Sequence, residues 1–129
     1  MKKAESFWES FGYAREGLKH CIRSERNFRI HMVMGVIAFT LGVVLQLTRA
    51  ELAILLLLIG LVLIAEMLNT ALENLVDLCT EDYHPLAKVV KDVAAGAVLL
   101  LCIVAVLIGI IIFVPHIFDL LIQHGLLVF

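Results

Sequence analysis

Four residues with oxygen-bearing side chains, Glu66, Asn69, Glu73 and Asp77, have the spacing to act together. On a helix that turns about 100° per residue, Asn69 falls about 60° behind Glu66, Glu73 about 20° behind it and Asp77 about 20° ahead. Three carboxylates and one amide therefore form a single stripe. Met67, Leu68, Ala71, Leu72, Leu75 and Val76 leave the other side of the same helix apolar. One face is free to meet lipid or other helices while the stripe faces something polar. The stripe begins where the apolar run 52–65 would otherwise continue. A charged side chain deep in a bilayer is costly, and is by default a functional-site hypothesis.

The elements that must position these residues follow from composition and periodicity. The hydrophobic fraction is 62%, well above the roughly half that is usual for soluble domains, so the chain reads as an all-α integral membrane protein. Its 129 residues suit one domain, and no internal repeat or flexible linker divides it. Over about 4–23, Phe7, Phe11, Ala14, Leu18 and Ile22 recur at steps of three and four, with charged residues between them. This pattern predicts an amphipathic helix lying at the membrane surface. A polar junction, 24–31, follows. The first span is expected over about 30–47, with Gly35, Ala38 and Gly42 along one face where helices can approach closely. Residues 46–51 read as a short turn. The second span is expected over about 52–72, its helix continuing as the polar-faced stripe to about Leu78. Pro85, suited to a helix's first turn, opens a third helix with a span over 93–114 that carries no charge. Ala94, Ala95, Gly96 and Ala97 make its start thin on every side. Pro115 and His116 are expected to end that span, leaving 118–129 as an apolar tail in the opposite interface. No cleavable signal peptide is apparent in residues 1–29. Cys21, Cys79 and Cys102 have no metal-ligand spacing and, being three, complete no disulfide framework.

Basic residues set the orientation. Seven of the ten Lys and Arg precede the first span, Arg49 alone follows it, and Lys88 and Lys91 flank the third. The N terminus and the 79–92 connection are therefore expected in the cytosol, and Arg49 and the C terminus outside. The junction, the lower part of the stripe and Lys91–Asp92 then share the side on which nucleotide is available.

That placement gives the residues a chemistry. Glu25 and Glu73 offer the oxygen ligands that Mg²⁺ takes alongside substrate phosphates. Lys91 can meet phosphate as a point charge. Glu66 lies nearest the hydrocarbon, where burial makes a carboxylate more basic, as a general base for an alcohol requires. The set suits phosphoryl transfer from a metal–nucleotide to a membrane alcohol, a reaction that needs mainly positioning and charge stabilisation. Plainer readings stand beside this one. Acids at helical spacing are usually a solvated face, and Asp77 is placed where that would suffice. A buried Asn or Glu can simply bind helices together. Lys91 and Asp92 alone would make a boundary ion pair of little worth. The histidines give no independent signal, although His31 lies close to the site. No glycine-rich phosphate loop occurs.

The stretch from Glu66 to Asp77 also resembles the signature of the prokaryotic diacylglycerol kinase family, Glu-x-x-Asn-Ser/Thr-Ala-x-Glu-x-x-x-Asp. Lys91-Asp92 is similar to the family's Lys-Asp before the last span, Gly12-Tyr13 and Gly17-Leu18 to its surface helix, and Glu25 with Phe28-Arg29 to its junction. The resemblance spans about Phe7 to Val114. It implies a homotrimeric membrane kinase of the bacterial plasma membrane, with ATP as co-substrate and sites composed between subunits. It implies that Glu66 is the catalytic base, that Glu25 and Glu73 hold Mg²⁺, and that Asn69 positions the reacting groups. Tyr13, Glu25, Glu73, Asp77, Lys91 and Asp92 would bind the nucleotide. The junction run Arg26-Asn27-Phe28-Arg29-Ile30-His31 is similar to the Gram-positive branch, whose members phosphorylate undecaprenol. The expected acceptor is thus undecaprenol, with diacylglycerol as the alternative lipid alcohol. An oligomeric ion carrier using Glu66, or a purely structural subunit, would explain the buried acid but not the other polar residues on the same side. No nucleic-acid partner is expected.

Overall fold

The computed structural model describes residues 6–80 and 82–123, and all its regular structure is helical. In chain order, α1 is Phe7–Ser24, α2 is Arg26–Val44, α3 is Arg49–Cys79 and α4 is Pro85–Gln123. The last three are long and apolar enough to cross a membrane. Positions 4 and 5 of the expected surface helix, Glu81 and the tail from 124 lie outside the described residues.

Helix α3 is the centre of the arrangement: α2 and α4 both pack on it, and α1 touches α2 and α3. Its buried side chains, Leu55, Leu58, Val62, Glu66 and Thr70, recur at three- and four-residue steps along one face. The polar stripe is therefore not turned away from the other helices. It continues the face that α3 buries, and Leu68, Leu72 and Leu75 on the opposite side are exposed. At about 1.5 Å per residue, the 31 residues of α3 extend about 46 Å. That exceeds the roughly 30 Å of a hydrocarbon core, so part of α3 reaches past it.

Small residues let α2 approach this face. Gly35 and Gly42 are buried. A Cβ placed on Gly35 would lie 2.7 Å from Ile59 Cγ2, and one on Gly42 3.2 Å from Leu52 Cδ2. At the start of α4 only Ala94 is buried against the rest of the chain, and Gly96 has nothing within 4 Å. The thin stretch 94–97 thus uses one of its sides within a single chain.

Two boundaries differ from those expected. The α2–α3 turn is shorter than 46–51, because Thr48 and Glu51 form a capping box: Thr48 Oγ1 accepts from the Glu51 amide at 3.3 Å, and Glu51 Oε2 accepts from the Thr48 amide at 2.8 Å. Arg49, Ala50 and Glu51 are consequently the first turn of α3, and Gln46, with φ 58°, reverses the chain before it. At the other end, Pro115 lies inside α4 and the helix runs on to Gln123. Proline removes one backbone donor, which transmembrane helices tolerate where the freed groups are otherwise satisfied. His116 ties this region down: its Nδ1–H donates to the Ile112 carbonyl at 3.0 Å, and its Nε2 stands 3.5 Å from Glu51 Oε2 on α3.

Candidate active site

The junction between α1 and α2 is built by Phe28 and Arg29. Phe28 is 2% exposed, the most deeply buried large side chain among the described residues. The Arg29 guanidinium donates to the carbonyls of Ile22 and Arg23 at 3.2 and 2.8 Å, capping the end of α1. A cation suits that position because the last carbonyls of a helix have no partner and carry partial negative charge. Glu25 is the one extended residue between the helices, with φ −94° and ψ 113°. Its side chain makes no cap hydrogen bond to α2.

Glu66 is 4% exposed. Its Oε1 lies 3.1 Å from His31 Nε2 on α2, and the same nitrogen is 3.9 Å from Cys102 Sγ on α4. One turn on, Thr70 Oγ1 donates to the Glu66 carbonyl at 3.0 Å. Asn69 Nδ2 donates to Glu73 Oε1 at 2.9 Å, and Asn69 Oδ1 is buried without a hydrogen-bond partner. Further down, Lys91 on α4 pairs with Asp77 on α3, and Lys88 pairs with Asp92 within α4. The expected neighbours Lys91 and Asp92 are therefore not each other's partners. One turn of helix separates Lys88 from Asp92, whereas residues one apart point about 100° away from each other.

Of the expected site residues, the fold joins Asn69 to Glu73 and Asp77 to Lys91, and it adds His31 to Glu66. Tyr13 is exposed on α1, where its hydroxyl donates to Glu9 at 2.9 Å. That carboxylate holds the phenol's pKa above its ordinary value. Among the described residues, no three His, Cys, Asp or Glu side chains converge as a metal site. The donors present are nevertheless of the right kind. Glu73 contributes a carboxylate and Asn69 an unpartnered buried oxygen, the hard ligands that Mg²⁺ prefers. His31 is the functional candidate that the sequence signalled only by nearness. Its position at the start of a span, on the same side as the stripe, was the one available hint.

Beside His31 lies an apolar cavity of about 410 Å³ between α2, α3 and α4. Its walls include Met34, Leu58, Val62 and Phe113, and His31 and Cys102 are the only lining residues that are not aliphatic, aromatic, Met or Gly. A buried carboxylate beside a residue of an apolar cavity, on a helix that leads on to further acids paired with a lysine, is an arrangement suited to an amphiphilic substrate. Comparison with known proteins makes the class specific. Residues 12–113 match the model of the family described as prokaryotic diacylglycerol kinase, and the chain belongs to that family. It is a membrane lipid kinase. The chain is 42% identical to undecaprenol kinase of Bacillus subtilis over 84% of its own length and 89% of the relative's. It is 46% identical to a diacylglycerol kinase of Synechocystis over 88% of its own length and 65% of the relative's. With diacylglycerol kinase of Escherichia coli K12 it shares 34% identity, over 74% and 79% of the two chains.

Proposed function

We propose that this protein transfers the γ-phosphoryl group of ATP to undecaprenol at the cytosolic face of the membrane. The observation that carries the reading is the buried Glu66 carboxylate 3.1 Å from His31, a residue that lines the apolar cavity. Glu66 accepts the proton of the lipid hydroxyl as that oxygen attacks the γ-phosphorus. The bond from γ-phosphorus to its bridging oxygen breaks, and ADP leaves with the electron pair. Asn69 aligns Glu73 through the 2.9 Å hydrogen bond. Glu73 and Glu25 would hold Mg²⁺, which would supply positive charge against the nucleotide's phosphates. Asp77 keeps Lys91 over the lower end of the stripe, from which the ammonium reaches phosphate. Asp92 and Tyr13 border the nucleotide from α4 and α1.

Undecaprenol is favoured over diacylglycerol by the cavity and by the Bacillus relative. A polyprenol carries a single hydroxyl on a hydrocarbon chain, matching a cavity whose only polarity is at the His31 end. Diacylglycerol would bring two ester groups as well. The Synechocystis relative keeps diacylglycerol as the competing acceptor.

The active species is proposed to be a homotrimer with sites composed between subunits. Support comes from Glu25, which belongs to no cluster of metal ligands among the described residues, while Asn69 Oδ1 stands buried without a partner. Helix α1 would lie along the inner surface, for Phe7, Trp8 and Phe11 are all exposed on it. The N terminus is cytosolic and the C terminus outside, following the distribution of Lys and Arg.

Presenting both lipids together in mixed micelles with labelled ATP tests the assignment. Undecaprenyl phosphate should dominate the product. Predominance of phosphatidic acid would reassign the acceptor, and absence of ATP consumption with either lipid would remove the kinase reading.

A further inference from the structure

A second cleft, of about 280 Å³, opens on α2 and is lined by Arg26, Arg29, Ile30, Val33 and Met34. These positions recur at three- and four-residue steps, so they share one face of the helix. From Arg26 to Met34 that face runs about 12 Å. Both guanidinium groups stand at the start of α2, and only apolar side chains follow them along the cleft. No carboxylate is among the lining residues. Arg26 is exposed and has no hydrogen-bond or ion-pair partner among the described residues. Arg29 uses only Nη1 on the carbonyls that end α1, and its Nε and Nη2 donors have no partner among the described residues. Ile30 and Met34 also line the larger cavity beside His31, so the two spaces share a wall.

We propose that this cleft binds a lipid phosphate monoester, the phosphorylated product, with its phosphate at Arg26 and Arg29 and the adjoining part of its chain along Ile30, Val33 and Met34, before it leaves into the cytosolic leaflet. The inference rests on the reading of the protein as an undecaprenol kinase. Charge selects the occupant. A phosphate monoester carries about −1.5 to −2 charges at neutral pH, and two guanidinium groups with no acid beside them suit it better than a bilayer phosphodiester of single charge. Guanidinium also matches phosphate oxygens in shape. Uncharged undecaprenol gains nothing from either arginine. The shared wall supplies the route, since a chain lying in the cavity reaches the cleft across Ile30 and Met34 without passing through water. Arginines at the cytosolic end of a span also follow from orientation alone, but orientation does not require that both share a groove whose apolar wall belongs to the cavity as well.

The test measures equilibrium binding of labelled undecaprenyl phosphate and of labelled undecaprenol to the protein in micelles of an uncharged detergent. Unlabelled undecaprenyl phosphate, phosphatidylglycerol and inorganic phosphate serve as competitors. Arg26→Gln and Arg26→Lys are compared with the unaltered chain; Arg26 is exposed, so neither change disturbs packing. Arg26→Gln should weaken binding of undecaprenyl phosphate about fivefold, the effect of one basic residue on an anionic lipid, and leave the affinity for undecaprenol nearly as it was. Arg26→Lys keeps the charge and should retain most of the affinity. Phosphatidylglycerol and inorganic phosphate should compete poorly, the first for want of charge and the second for want of a chain. Equal affinity for undecaprenyl phosphate in Arg26→Gln and the unaltered protein would overturn the proposal. Displacement by phosphatidylglycerol as effective as that by undecaprenyl phosphate would overturn the product assignment and make the cleft a general site for leaflet lipids. A change of oligomeric state in Arg26→Gln would assign this face to contacts between copies of the chain and overturn it too. The binding measurement consumes no ATP. A mixed-micelle assay that yields phosphatidic acid, or no product, therefore fails the undecaprenol kinase reading separately, whereas undecaprenyl phosphate formed there together with unaltered binding in Arg26→Gln fails only the cleft.

Discussion

Replacing Glu66 by Gln separates the chemical role of this residue from its structural one. The amide has nearly the same shape and can keep the 3.1 Å contact with His31 Nε2. It cannot take a proton from an alcohol. Loss of a positioned general base costs about 10²–10⁴ in rate, or about 2.7–5.4 kcal/mol of barrier at 1.36 kcal/mol per factor of ten. The folding cost is smaller. The site is buried, but the substitution keeps the shape and leaves an acceptor in place, so the expected change is within about 1–3 kcal/mol, the range for one altered buried polar group. Glu66→Asp keeps the charge and withdraws the carboxylate by one carbon–carbon bond, about 1.5 Å. That breaks the contact with His31 and should cost on the order of 10²-fold, since misplacement of that size is expensive in catalysis. The assay is transfer of labelled phosphate to undecaprenol in mixed micelles, with nucleotide binding and thermal unfolding measured on the same preparations. Glu66→Gln retaining near-normal kcat would refute the mechanism. Loss of rate together with loss of nucleotide binding would move Glu66 from the lipid side of the reaction to the nucleotide side.

Three other outcomes are expected. Glu25→Gln and Glu73→Gln should each lower the rate at least tenfold and raise the Mg²⁺ concentration needed for half-maximal activity, and a Mg²⁺ titration unchanged in both would count against their proposed role. Gly35→Ala should destabilise the fold by about 1–3 kcal/mol through overpacking against Ile59, whereas Gly17→Ala, with nothing within 4 Å, should be neutral or slightly stabilising; thermal unfolding in detergent distinguishes the two. A cysteine placed at Arg49, in a chain whose native cysteines are replaced, should react with an impermeant thiol reagent added outside intact cells, while one placed at Asp82 should react only after lysis; the opposite pattern would turn the candidate site away from ATP.

The spans and the stripe were readable in the sequence because each depends on one helix at a time. Pro85 and the uncharged run 93–114 announce α4, and the positions of Glu66, Asn69, Glu73 and Asp77 follow from helical rotation alone. Features that depend on two helices were not readable in this way. His31 and Glu66 are 35 positions apart, and their contact requires α2 to be rotated so that Gly35 also meets Ile59. Lys91 finds Asp77 rather than Asp92 for the same reason: the partner is set by how α4 lies on α3. The Thr48–Glu51 capping box was present as a local signal, but its four residues fall in the polar interval between two apolar runs, where hydropathy alone reads a turn. Pro115 misleads in the opposite direction, since the usual cost of an internal proline is set in water and is met differently in a membrane helix.

The burial of Glu66 has a further consequence for how the site is held. Leu55, Leu58 and Val62 precede it on the same face of α3, and Thr70 follows it. The acid is therefore not at the edge of the packing but inside it, between an apolar contact above and a hydrogen-bonded turn below. Rotation of α3 that exposed the carboxylate to water would also withdraw those leucines and the valine from α2 and α4. The packing that stabilises the bundle thus opposes the motion by which a buried charge would otherwise regain its hydration. A functional group carried on such a rigid element is placed more accurately than one carried on a loop. Glu25, at the extended residue between α1 and α2, and Lys91, held by an exposed ion pair, lack this constraint. The division matches the reaction proposed. Proton transfer tolerates little displacement of the base, whereas the groups that meet phosphate have to admit ATP and let ADP go.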